Sequence, residues 1–191
     1  MARHKSAKKQ DAIMQATLHL VIEEGFHGLS MSKIAKKAGI ATATIYVYFK
    51  NTGEIINLLY LNLKELISAD IMKGYKDTMT TEKGFKVIWR NYFDSIRKYA
   101  REFQYLEQFA NSPYITQVSK EEGRKQFKPF LDFFDQAMAH GDIKKMSQGL
   151  VLALFIAPMS SLAKNINSGQ SQIDETAIEL AMHSTWLAMK K

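Results

Sequence analysis

The chain is 191 residues long, 46% apolar and 24% charged, with 26 Lys/Arg against 19 Asp/Glu and a net charge of +7. That composition fits one or two folded domains and excludes a disordered chain. The absence of cysteine excludes disulfide frameworks, zinc knuckles, thiol catalysis and iron–sulfur clusters.

The longest apolar run, 150–159, falls short of the ~20 residues that span a bilayer. The basic start of the chain is followed by a periodic pattern broken by charge, unlike a secretion signal. No membrane segment is expected, and the chain is placed in the cytoplasm. A basic balance suits a polyanion. Its distribution is uneven: residues 1–55 carry eight Lys/Arg and four Asp/Glu, and residues 1–10 carry Arg3, Lys5, Lys8 and Lys9 with no acid. A short basic arm ahead of a compact unit is one way to reach phosphate or a minor groove. A solvated terminus is the plain alternative.

The apolar spacing is helical almost throughout. Ile13, Ala16, Leu20 and Val21 form one stripe, ended by Gly25. Ser30 stands where an N-cap is wanted, and Met31, Ile34, Ala35 and Ala38 follow on one face. Gly39 stops this second helix and is expected at positive φ. A third helix is expected over 42–49, with Ile45 and Phe49 on one face. Residues 51–54, Asn-Thr-Gly-Glu, reset the chain before a long helix over 55–73. Further helices are expected over 82–99, 101–110, 116–140, 146–167 and 172–190. Pro129 should bend or break the long one, and Pro158 should weaken the penultimate one. The fold class is therefore all-α, with about nine helices. A small basic head, 1–51, precedes a larger aromatic body, 52–191.

Three short helices with a glycine turn between the last two are the layout of a helix-turn-helix. The residues carry more than the spacing does. Ile13, Ala16, Leu20, Gly25, Phe26 and Ser30, then Ile34-Ala35, Ala38-Gly39-Ile40, Thr44-Ile45-Tyr46, Tyr48-Phe49-Lys50 and Glu54-Ile55, form an ungapped pattern. The stretch 13–59 resembles the DNA-binding domain of the TetR family of bacterial transcription factors. The resemblance covers about a quarter of the chain.

Read by themselves, Ile13, Leu20, Ile34, Ala35, Ala38, Ile45 and Phe49 are the core of a three-helix unit. Thr42, Thr44, Tyr46 and Tyr48 are the polar and aromatic remainder of the third helix, part of which an amphipathic helix leaves outward. Hydroxyls and phenols can donate to phosphate, and threonine methyls can meet thymine methyls. By resemblance, Thr42, Ala43, Thr44, Val47 and Tyr48 face DNA, and Tyr46 is shared between packing and contact. Lys5, Ser30, Ser32, Lys33, Lys50 and Thr52 complete the candidate DNA set. Several positions depart from the family pattern. Ala41 replaces a frequent serine cap, so that Thr42 could cap instead. Ala43 replaces a frequent glycine, Thr52 a frequent lysine, and Lys33 a frequent acid.

Residues 85–134 hold eight Phe, four Tyr and Trp89. Such a density suits walls that admit an apolar molecule, although each ring taken singly is as well read as core. Trp89, Tyr92, Phe93, Ile96, Phe103, Glu107, Phe109, Phe130 and Phe134 are the candidate lining. An acid facing these rings, from Asp94, Glu102, Glu107 or Asp135, would suit a cation; acids all facing water would suit a neutral or acyl ligand. Leu150, Leu154, Ala157 and Ser161 form a second row on the penultimate helix, and Ala177, Leu180, Ser184 and Leu187 one on the last. Two faces to bury imply a partner, and the resemblance implies a homodimer through these helices.

The expected function is a ligand-responsive transcriptional regulator. A small lipophilic or aromatic effector would release it from a palindromic operator in double-stranded DNA, and the resemblance implies that it acts as a repressor. The long helix that follows the recognition helix would carry the coupling, typically about 1–3 kcal/mol. No catalytic residue, metal or cofactor is expected. His4, His19, His27, His140 and His183 show no metal-ligand spacing, and no GxSxG, Walker or Rossmann pattern occurs. A non-specific architectural DNA binder and a helical protein-interaction adaptor are the alternatives.

Overall fold

A computed structural model describes residues 2–110, 112–169 and 173–191, with side chains from Ser6 onward. The described residues form ten α-helices and no strand; an isolated antiparallel bridge pairs Ile143 with Lys190. The helices are α1 (Ala2–Glu24), α2 (Met31–Lys37), α3 (Thr42–Ile45), α4 (Thr52–Met72) and α5 (Thr81–Lys98). They continue with α6 (Ala100–Ala110), α7 (Gln117–Gln126), α8 (Lys128–His140), α9 (Gln148–Asn167) and α10 (Glu175–Met189). A single 3₁₀ turn, Phe26–Gly28, follows α1.

The count exceeds the expected nine because the 116–140 segment is two helices, divided at Phe127, with Pro129 in the first turn of α8. Pro lacks an N–H, so it is tolerated there and not further in. Pro158 has no such effect, since α9 runs unbroken through it. The N-terminal segment is also helical from Ala2 rather than an arm ahead of a helix.

Several helix starts are written in short polar side chains. The Ser30 hydroxyl accepts from Lys33 N–H (3.2 Å), that of Ser147 from Leu150 N–H (3.3 Å), and the Asp174 carboxylate from Ala177 N–H (2.8 Å). At the start of α4, Asn51 Oδ1 accepts from Glu54 N–H (2.9 Å), while Glu54 Oε2 accepts from Lys50 N–H (2.7 Å). Each satisfies an N–H that the helix itself cannot.

The chain packs as two units. The first comprises Met1–Leu63 and Arg101–Gly123, the second Lys64–Ala100 and Arg124–Lys191. Packing thus groups the chain otherwise than the division of roles expected between residues 51 and 52. In the first unit Ile13, Leu20, Ile34, Ala35, Ile45 and Phe49 are buried together, as expected, with Ala38 partly buried against them. Tyr105 and Phe109 of α6 join that core. The Tyr105 hydroxyl donates to Ile56 O (2.7 Å), and Phe26 lies 5.8 Å from Tyr105 and 5.7 Å from Phe109 between ring centroids. Burial pushes the Tyr105 phenol far above its ordinary pKa.

The second unit is built round an aromatic cluster. Phe155 of α9 lies 5.3 Å from Phe85, 5.4 Å from Phe130 and 5.1 Å from Phe134, mostly edge to face. Trp89 stacks on Phe93 one turn along α5. Val151, Phe155, Met159 and Ala163 form the buried row of α9. By length and composition α9 could cross a membrane (hydropathy 1.5), the only described helix of which this holds. Its outer face carries Leu150, Ala157 and Ser161.

Candidate nucleic-acid interface

The helix-turn-helix is assembled from a cap, a glycine and two anchors. Ser30 starts α2, and Ile34 and Ala35 bury its inner face. Gly39 turns the chain at φ 68°, a left-handed value that favours glycine. Helix α3 is a single turn. Its N-cap, Ala41, makes no side-chain cap bond, and the helix begins at Thr42, so Thr42 is not the cap. Thr44 N–H donates to Ala41 O (2.8 Å) and Val47 N–H to Thr44 O (3.2 Å). Tyr48 and Phe49 N–H then both reach Ile45 O at 3.0 Å. The helix expected over 42–49 is therefore a short helix followed by a tightened turn. One turn this short cannot stand alone. Ile45 (0% exposed) and Phe49 (3%) pin it to the core.

That anchoring turns the remaining side chains outward. Thr42 and Ala43 are exposed, Thr44 is half-exposed, Tyr46 is 57% exposed and Val47 77%. The two tyrosines exchange their expected parts. Tyr46 stands out from the surface, whereas Tyr48 is half-buried against the core and divides itself between packing and solvent. Tyr48 is among the side chains packed against the core that holds Phe49, and Tyr46 is not.

Ser32 and Lys33 are exposed in the first turn of α2, and Ser30 is half-buried by its capping role. The Ser30 and Ser32 hydroxyls are 3.1 Å apart. Lys33 Nζ is paired with Glu24 at 2.7 Å, so this cation is already engaged within the protein. Lys50 is exposed and Thr52 half-buried at the start of α4. The Lys5 side chain lies outside the described residues. Lys36 and Lys37, both exposed in the last turn of α2, went unselected in the sequence, where a lysine pair reads as an ordinary helix C-terminus.

The candidate effector residues divide. Trp89, Tyr92, Phe93, Ile96, Phe130 and Phe134 are all buried in the second unit. Phe103, Glu107 and Phe109 belong to the first: Phe109 packs with Phe26, Tyr60 and Tyr105, Phe103 is half-buried and Glu107 exposed. Nothing in α6 periodicity tells whether a ring serves one unit or the other. Asp94 and Asp135 are exposed, and Asp94 pairs with Arg90 at 3.1 Å. Separately, a surface cleft of about 390 Å³ is lined by Met72, Tyr75, Asp77, Asp132 and Phe133 among others. Gly84 lets two of its lining rings pack closely on α5, since a Cβ there would stand 2.8 Å from the Tyr75 ring and 3.0 Å from Phe133.

Of the candidate partner-facing residues, Leu150, Ala157, Ser161, Ala177, Leu180, Ser184 and Leu187 are exposed and Leu154 is half-exposed. Leu180 (64%) and Leu150 (47%) are among the most exposed large apolar side chains described.

A capped α2, a glycine turn and an outward polar edge on α3 define a helix-turn-helix DNA-binding protein. Residues 13–59 match the bacterial regulatory proteins of the tetR family, and residues 81–190 match a tetracyclin repressor-like C-terminal domain. The chain belongs to the TetR family of transcriptional regulators. It is 24% identical over 181 residues, 95% of each chain, to an uncharacterized HTH-type transcriptional regulator of Haemophilus influenzae. Over 81 residues, 42% of each chain, it is 31% identical to a fatty acid metabolism regulator protein of Bacillus subtilis. A TetR family transcription regulator from Marinobacter aquaeolei VT8 shares the fold with a TM-score of 0.91, at 23% identity and 99% coverage of both chains.

Proposed function

We propose that the protein is a homodimeric repressor that binds a palindromic operator through α2 and α3 and is released by a small apolar effector. The observation that carries this reading is the exposure of Tyr46 and Val47 beside Thr42, Ala43 and Thr44, on a turn whose opposite side is fixed by Ile45 and Phe49. Rigid anchoring with free hydroxyls and methyls is what reading of base edges needs. Ser32, Lys36, Lys37 and Lys50 supply hydroxyl and cationic partners for phosphate, which position the reader without choosing the sequence.

The exposed rows of α9 and α10 support the dimer. Contiguous apolar side chains on two helices are costly to leave in water, and pairing them removes that surface. A two-fold pair places two recognition turns for half-sites about 34 Å apart. Residues 52–63 of α4 belong to the first unit and 64–72 to the second, so one helix offers a covalent route from effector to reader. The roles then divide as DNA binding in residues 1–51 and effector and partner binding in 52–191. Binding, not catalysis, is the activity, and the cytoplasm is where it takes place.

Selection from a pool of random duplexes tests the reading. It predicts enrichment of one two-fold symmetric site, bound by one dimer, with an affinity that falls steeply with salt. Equal recovery of all sequences would indicate an architectural binder instead.

A further inference from the structure

The aromatic cluster of the second unit has a charge character of its own. No carboxylate is among the buried polar residues described; those are Thr17, Ser68, Ser95, Ser119 and Thr185. An ammonium group entering the cluster would meet rings but no counter-charge. Lys64, by contrast, is a half-buried cation on α4 whose Nζ lies 4.5 Å from the centroid of the Phe127 ring. Phe127 in turn lies 5.2 Å from Phe130 and 6.4 Å from Tyr92. A lysine is thus placed at the edge of the cluster.

The cluster also holds an unmet donor. Trp89 is 0% exposed, and its Nε1 has no hydrogen-bond partner. An indole N–H only donates, and a buried donor left unmet is unfavourable compared with a phenylalanine in the same place. It calls for an acceptor oxygen. Gln126, next to Phe127, also has a buried Oε1 without a partner; a side-chain amide can present either its oxygen or its nitrogen, so it constrains the guest less.

We propose that the effector is an apolar molecule with an anionic, oxygen-bearing head, its head held by Lys64 and its body lying among Tyr92, Phe127 and Phe130. This rests on the reading of the second unit as the effector site. Burial lowers the pKa of the Lys64 ammonium, and a carboxylate beside it would offset that loss of water. Ser68, one turn beyond Lys64, already gives its hydroxyl proton to Gln126 O at 2.6 Å and so steadies the α7 end beside Phe127.

Three probes with one tail and different heads decide the matter: dodecanoate, dodecan-1-ol and dodecyltrimethylammonium, each below its micelle concentration, titrated calorimetrically into the full-length protein. Dodecanoate should bind about tenfold more tightly than dodecan-1-ol, as a charge-assisted hydrogen bond implies. In Lys64→Met the two should differ by less than about twofold, with dodecan-1-ol unchanged, and Lys64→Arg should restore the preference. Thermal melts confirm that each variant is folded, and the wild-type order of the three heads is informative even if one is not.

Tightest binding of the ammonium probe, or a dodecanoate preference that survives in folded Lys64→Met, overturns the proposal. Equal binding of acid and alcohol overturns the head-group assignment and leaves the apolar site standing. If no probe binds, both fail.

Discussion

Helices α3 and α9 present side chains outward by opposite means. Helix α3 is one turn, too short to be stable alone, and two buried side chains, Ile45 and Phe49, hold it in place. What it and the turn after it leave outside is polar or small, Val47 apart. Helix α9 is twenty residues long, with a full buried row from Val151 to Ala163, and from Leu150 to Pro158 what it leaves outside is apolar. The contrast separates a surface shaped for hydrogen bonds from one shaped for burial. The first gains from water being exchanged for defined polar partners, the second from water being excluded.

The comparison can be broken most forcefully at its anchors. Phe49→Ala should destabilise the first unit by about 3–5 kcal/mol. Its urea midpoint should fall and DNA binding should vanish with it, although Phe49 faces no DNA. Retained DNA binding at full stability would show that α3 does not depend on its anchors.

Leu180→Glu places a charge on the outer row of α10 and should leave monomer stability within about 0.5 kcal/mol. Light scattering should nevertheless find the proposed dimer dissociating at protein concentrations roughly a hundredfold higher than for the wild type, since an unpaired charge would be buried. An unaffected dimer would move the interface elsewhere.

Tyr46→Phe removes one exposed hydroxyl. The melting temperature should not move, while affinity for the selected operator should drop by about tenfold, the worth of one good hydrogen bond to an ionised group. The same change at half-buried Tyr48 should show in stability before it shows in affinity.

The smallest effect concerns Lys33. Its pairing with Glu24 is exposed and contributes under about 1 kcal/mol. Glu24→Gln frees this cation, so salt-dependent binding to any duplex should tighten by about twofold, with the salt slope steeper by up to one unit. Weaker binding would mean that the ion pair itself orders the reader.

Much of this was legible in the residues. The head declares itself through Ser30, Gly39, Ile45 and Phe49, each of which has a strong local reason for its type. The outer rows of α9 and α10 follow from helical period alone. What escaped is long-range. That α6 gives Tyr105 and Phe109 to the first unit depends on the Tyr105 bond to Ile56, 49 residues away, and on rings from Phe26 to Tyr114. No period within α6 encodes it. The parts of Tyr46 and Tyr48 were exchanged for a related reason: a regular helix over 42–49 would have set their angles differently from the tightened turn that follows Ile45. The place of Lys64 beside Phe127 was equally invisible, because a lysine on a long helix reads as solvated until its neighbours are known.

The most direct test replaces the outward groups alone. A variant with Thr42→Ala, Thr44→Ala and Tyr46→Phe keeps Ile45 and Phe49 and should melt with the wild type. Passed through the same random-duplex selection, the wild type should enrich a single symmetric site. The variant should enrich none, while still binding all duplexes weakly and in a salt-dependent way. Enrichment of the same site with undiminished affinity by the variant would contradict the assignment of this surface to DNA.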